Sequence, residues 1–235
     1  MSQPCSFSAT SSVQVAISFA AAVLLGSFVA PSVLAAVALP ALPIRPTASQ
    51  TVPTSPAEVF AQQNIDKGYS ILNSKAAPAQ RHMQFRDFML GLIDGRRLGL
   101  FTLGQYANTA SKTDIDAFIA AFADYTVAVY ETRLDKYKSQ TLKVIGSSAR
   151  AADDVVVNCE ATDPAHPSDP STKVAFRIRK GADGKFIVTD LNIEGIWQTI
   201  SQRADFTGFL QQHGGRVSDL TNDLKRQTQT LYASA

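Results

Sequence analysis

The sequence predicts an α+β fold, with helices packed on one small, mostly antiparallel four-stranded sheet. Three observations carry this. Apolar residues recur at helical spacing from Ser55 to about Tyr137, the period changes to two between Thr141 and Ile193, and the helical period returns after Gly195.

The elements follow in order. Ser55-Pro56-Ala57-Glu58 is a helix start: Ser55 can cap free amides, Pro56 fits the first turn, and Glu58 can close a capping box. That helix reaches about Ser74. A second, about Ala79 to Ile93, follows the break at Ala76-Ala77-Pro78. Asp94-Gly95 punctuates before a short apolar helix from about Arg96 to Asn108. Ser111 with Asp114 caps the longest helix. One wide face of it carries Ile115, Phe118, Ile119, Phe122, Tyr125, Val129, Tyr130 and Leu134.

Four strands are read at Thr141 to Gly146, Asp154 to Thr162, Thr172 to Lys180 and Lys185 to Ile193. Gly181 to Gly184 has the chemistry of a tight hairpin, and the proline-rich loop Asp163 to Ser171 joins the second and third strands. In the third, Val174, Phe176 and Ile178 share a side. In the fourth, strict alternation puts Ile187, Thr189, Leu191 and Ile193 together. Helices from Ile196 to about His213 and from Val217 to Leu231 complete the chain, separated by Gly214-Gly215.

All 22 basic and 20 acidic residues lie from Arg45 onward; Met1 to Ile44 has no charged side chain. The apolar run Val13 to Val29, followed by small residues, predicts an exported leader over 1–38, cleaved after Ala35 or Ala38 or else retained as an inner-membrane anchor. A Pro/Thr/Ser-rich tether, 39–54, leads to the folded domain, 55–235. Cys5 precedes the apolar run, so it is not placed as a lipid-attachment site, and Cys159 alone in the mature part allows no internal disulfide. The near-balanced charge gives no field of one sign for nucleic acid.

No GxSxG, HExxH, CxxC or P-loop occurs. His82, His166 and His213 are scattered and read as surface or capping residues, so no metal site, cofactor or catalytic residue is assigned. Asp190 and Glu194 are either paired carboxylates or strand-end contacts. Composition alone does not separate a filled core from a cavity.

Leu103-Gly104-Gln105-Tyr106, the polar gap through Ser111, and Phe118-Ile119-Ala120-Ala121-Phe122-Ala123-Asp124-Tyr125 resemble the MlaC family, also called toluene-tolerance proteins. Phe176 to Lys180, a hairpin, Asp190 to Gly195, then Phe206, Phe209, Leu210 and Gly214-Gly215 extend the likeness over about Ser55 to Lys225. The resemblance implies a periplasmic, non-enzymatic carrier of phospholipid between an outer-membrane lipoprotein complex and an inner-membrane ABC transporter, its tails in an apolar pocket between sheet and helices. Ala107, Ile196-Trp197 and the long loop Asp163 to Ser171 depart from the pattern. They resemble the branch found with hopanoid biosynthesis, which implies a hopanoid-type lipid instead. Expected lining residues are Phe101, Leu103, Tyr106, Phe118, Phe122, Tyr125, Phe176, Ile178, Leu191, Ile193, Trp197, Ile200 and Phe209. A small enzyme on an apolar substrate with Asp190 as base, and a solidly packed hopanoid-pathway scaffold, are the alternatives.

Overall fold

The structure is a computed structural model that describes residues 54–136, 139–181 and 183–234. The predicted leader and nearly all of the tether lie outside these residues. The order is α1 (Pro56–Leu72), α2 (Pro78–Leu92), α3 (Gly95–Leu103), a 3-10 segment (Gly104–Asn108), α4 (Lys112–Lys136), β1 (Thr141–Ala151), β2 (Asp154–Thr162), β3 (Thr172–Lys180), β4 (Phe186–Ile193), β5 (Ile196–Trp197), α5 (Gln198–Gln212) and α6 (Val217–Ala233). No helix among the described residues is long and apolar enough to cross a membrane.

Local chemistry accounts for the helix starts. The Ser55 hydroxyl accepts from the Glu58 amide while the Glu58 carboxylate accepts from the Ser55 amide, the reciprocal capping box. The Ser111 hydroxyl accepts from the Asp114 amide at 3.1 Å and starts α4. The expected single helix from Arg96 to Asn108 breaks at Gly104, whose φ of 58° ends α3.

The sheet has five strands rather than four, all antiparallel, in the order β1-β2-β3-β4-β5. The fifth exists because Glu194 and Gly195 take φ of 49° and 87° and turn the chain back on itself. Ile196 then pairs with Ile193 and Trp197 with Asn192 before α5 begins. β1 continues to Ala151, past the expected end at Gly146. Register shifts between Val144 and Gly146 and between Ala149 and Ala151 interrupt its alternation.

A shift in β4 corrects the expected strand faces. Ile178 pairs with Val188 and Arg177 with Asp190, leaving Thr189 as an extra residue. Phe186 and Val188 therefore share the apolar side with Leu191 and Ile193, and Ile187, paired with Arg179, takes the other. The ring of Phe186 lies 5.5 Å from that of Phe60 in α1.

Three separate cores result. Leu103, Phe118, Phe122, Tyr125, Phe206, Leu210, Leu220 and Leu224 fill the space among α3, α4, α5 and α6. Ala57, Ala61 and Ile65 of α1 pack on Val144, Val157, Cys159 and Ile178 of the sheet. Leu72, Phe85 and Val127 join α1, α2 and α4. α4 packs chiefly on other helices, while α1 covers β1 and β2 and α5 meets β4.

Candidate functional site

Cross-strand partners share a face, so Val174 with Ile193 and Phe176 with Leu191 form two apolar pairs on the α1 side of the sheet. α1 meets the sheet chiefly at β1 and β2, and Val174 and Phe176 pack against the margin of the core formed there. Among the described residues Leu191 and Ile193 belong to none of the three cores, and all eight residues of β4 are half-buried. Ile196, paired with Ile193, extends the row outward and is 49% exposed.

Tyr130 supplies a second border. It packs, with Ile71, Phe88, Met89 and Leu134, against the core between α1, α2 and α4. Burial pushes its phenol up to about 12, opposed by Arg133 and reinforced by Asp190 and Tyr125. The side chain nevertheless keeps accessible surface. Tyr130 is therefore half-buried at the margin of this core and not sealed within it.

The expected lining residues separate into four sets. Leu103, Phe118, Phe122 and Tyr125 are buried in the helical core, and Ile178 in the sheet core. Phe101 and Ile200 are exposed. Phe176, Leu191, Ile193 and Trp197 are half-buried at the sheet, although Trp197 shares its face with Asn192 and not with Leu191. Tyr106 and Phe209 pack on the margin of the helical core. Outside the expected set are Val174, which the strand alternation sets beside Phe176 and which pairs with Ile193, and Tyr130, on the wide apolar face of α4.

The reactive side chains have structural partners. Asp190 accepts from the Thr199 hydroxyl at 2.5 Å, the Thr199 amide at 3.1 Å and the Leu191 amide at 2.8 Å, and so caps the start of α5. Glu194 accepts from the Lys173 amide and thereby fastens the β4–β5 turn to β3. His82 lies 2.6 Å from Glu131, His166 3.1 Å from Asp163, and His213 2.8 Å from the Phe209 carbonyl. Burial pushes the Cys159 thiol up to about 12, which keeps it protonated and unreactive. Among the described residues no His, Cys, Asp or Glu cluster suits a metal ion. Among the described residues two surface clefts open, the first mainly polar and the second mixed. One of about 590 Å³ is lined by Gln105, Tyr106, Arg203, Thr207 and Gln211, and one of about 270 Å³ lies between α2, α4 and α6 at His82, Arg86 and Tyr232.

The fold is similar to that of a phospholipid-binding protein from Ralstonia solanacearum, whose structure was solved in complex with a phospholipid. The TM-score is 0.62 at 21% identity, over 75% of this chain and 98% of that one, a likeness of fold. The sequence profile of the family described as MlaC protein matches residues 62–226, which takes in α1 from its first turns, the sheet with its half-buried pairs, and most of α6. The chain belongs to the MlaC family.

Proposed function

We propose that this protein is a non-enzymatic carrier that holds the acyl tails of a phospholipid against β3 and β4 and moves the lipid between membranes. The observation that carries the reading is the row Val174–Ile193 and Phe176–Leu191, apolar and half-buried, with Leu191 and Ile193 outside the packed cores. Family membership and the phospholipid held by the Ralstonia solanacearum protein support the choice of ligand.

The energetics favour a carrier. Burying a CH₂ is worth roughly 0.8 kcal/mol, so two tails of about sixteen carbons gain on the order of 25 kcal/mol against water. Release into water is therefore not a working step. Exchange between bilayer and pocket swaps one apolar surrounding for another and is nearly balanced. Such a protein needs a dry apolar face and a partner that opens it. In this reading Asp190 is a helix cap and not a base.

The uncharged leader exports the chain to the periplasm, either cleaved or kept as an anchor. An inner-membrane ABC transporter complex and an outer-membrane lipoprotein complex are the partners between which lipid moves. Mass spectrometry of lipid extracted from the natively purified protein tests the ligand. Phospholipid in a fixed ratio to protein is the expected result. A hopanoid-type lipid would keep the carrier and change its cargo, and protein free of any lipid would overturn the reading.

A further inference from the structure

Large exposed apolar side chains stand on α3, on β5 and in the first turn of α5, two helices that pack on each other with the strand that leads into the second. Ile196 is 49% exposed, Ile200 59% and Phe101 41%. Ile200 stands one turn before Arg203 on α5, and the Arg203 guanidinium sits 5.0 Å over the ring of Phe101 on α3. Arg97 stands one turn before Phe101 on the same side of α3 and is exposed.

Arg97 and Arg203 supply positive charge beside these side chains, and the nearby exposed carboxylate of Glu194 is turned to the Lys173 amide. Neither Arg97 nor Arg203 has a carboxylate partner among the described residues. Elsewhere in the helical layer Arg86 pairs with Asp124, Arg96 with Asp116, Arg216 with Asp219 and Arg226 with Asp223. Asp94 is occupied in capping α3 through the Arg97 amide at 2.9 Å. Asp205 lies two residues past Arg203, on the opposite side of α5, where its charge acts on Tyr125. Beside Arg203 opens the cleft of about 590 Å³ walled by the amides of Gln105 and Gln211.

We infer that this face docks on the surface of a bilayer containing anionic phospholipid. Phe101, Ile196 and Ile200 enter the interface, Arg97 and Arg203 lie among the phosphates, and the cleft beside Arg203 accepts a headgroup. Exposed apolar side chains flanked by unpaired arginines suit an interface that offers hydrocarbon a few ångströms below negative charge. A protein partner would have to supply both an apolar patch and acidic residues in the same place, and a second copy of this face would bring like charges together. Ile196 continues the row that ends at Ile193, so docking sets the open end of that row against the membrane. This last step, passage of lipid at that edge, rests on the carrier reading; the docking itself does not.

Trp197 is the only tryptophan of the chain and sits between Ile196 and Ile200, which makes it a reporter. The full chain is mixed with vesicles of brominated phosphatidylcholine, with and without brominated phosphatidylglycerol, and Trp197 fluorescence is followed. Quenching is expected on the anionic vesicles and weakens in high salt. Arg97→Gln with Arg203→Gln should raise the vesicle concentration for half-quenching about tenfold, given the strength of each cation at an anionic surface. Ile200→Ser should weaken quenching as well, and thermal melts confirm that these exposed changes leave the fold intact. Equal quenching on neutral vesicles, or no change in the arginine variant, would overturn the docking. So would a dimer of the chain alone that Ile200→Ser disperses. Removing the vesicles separates the two proposals. Fluorescence that recovers reports docking, whereas quenching that stays with the protein reports lipid taken up and bears on the carrier reading.

Discussion

Glu58, in the first turn of α1, accepts a 2.6 Å hydrogen bond from the hydroxyl of Ser147 in β1, 89 positions further along the chain. The same carboxylate accepts from the Thr54 amide at 2.8 Å and the Ser55 amide at 3.2 Å. The Ser147 bond, then these amides, lower its pKa from 4.5 to about 2. A carboxyl held lower in the folded chain stabilises it fully above the unfolded value, and that contribution is lost as pH falls from about 4.5 to about 2. Glu58→Gln is therefore expected to flatten the acid limb of the stability profile over this window. At neutral pH it should cost about 1 kcal/mol, as loss of a cap does. Urea melts at several pH values check both, and an unchanged acid limb would refute the assignment.

Gly99 marks the closest approach of α3 to α4. A methyl group there would stand 2.5 Å from Cδ1 of Ile119, with Phe118 and Phe122 at 3.4 Å. Gly99→Ala gains helix propensity of about 1 kcal/mol but overpacks this contact, so a net loss of about 1 kcal/mol is expected. Ile119→Val removes the clashing atom. In that background the same glycine change should become neutral or stabilising, and a double-mutant cycle measures the reversal of sign.

Thr126 is 8% exposed on α4, and its hydroxyl has no hydrogen-bond partner among the described residues. Thr126→Val keeps the shape and removes the unpaired polar group, so it should raise stability by about 1 kcal/mol in a thermal or urea melt. A loss would mean that the hydroxyl is satisfied.

What the sequence disclosed follows from the range of each interaction. Ser55 with Glu58, Ser111 with Asp114, and the hairpin at Gly181 to Gly184 are settled within four residues, and each stands where expected. The bulge at Thr189 and the short strand Ile196–Trp197 depend on register against β3 and β4, which no single segment carries. Phe118, Phe122 and Tyr130 lie on one helical stripe. Only the docking of α5 and α6 decides that the first two are packed solid while Tyr130 stays half-buried. Burial was thus readable from spacing, and the division between packed core and half-buried margin was not.

Asp190 links the sheet to α5 through the amide and hydroxyl of Thr199. Asp190→Ala should cost about 1 to 2 kcal/mol and loosen the first turn of α5. Because Trp197 immediately precedes that turn, its fluorescence should shift in the folded protein at neutral pH. Asp190→Asn, which retains an acceptor, should recover most of the stability. An unshifted spectrum in the alanine variant would show that the cap does not hold this end of the helix.

Phe122 and Leu191 test the separation of core from hollow most directly. Phe122 is 2% exposed and ring-packed against Phe118 and Phe206 at 5.8 and 6.3 Å, so Phe122→Ala should cost about 3 to 5 kcal/mol. Leu191 is half-buried and belongs to none of the three cores, and the carrier reading sets it against the lipid tails. Leu191→Trp should leave the melting temperature little changed and lower the lipid that co-purifies, as quantified by mass spectrometry. A large loss of stability with lipid retained would place Leu191 in the structural core. The tails would then have to run elsewhere, along the border marked by Tyr130.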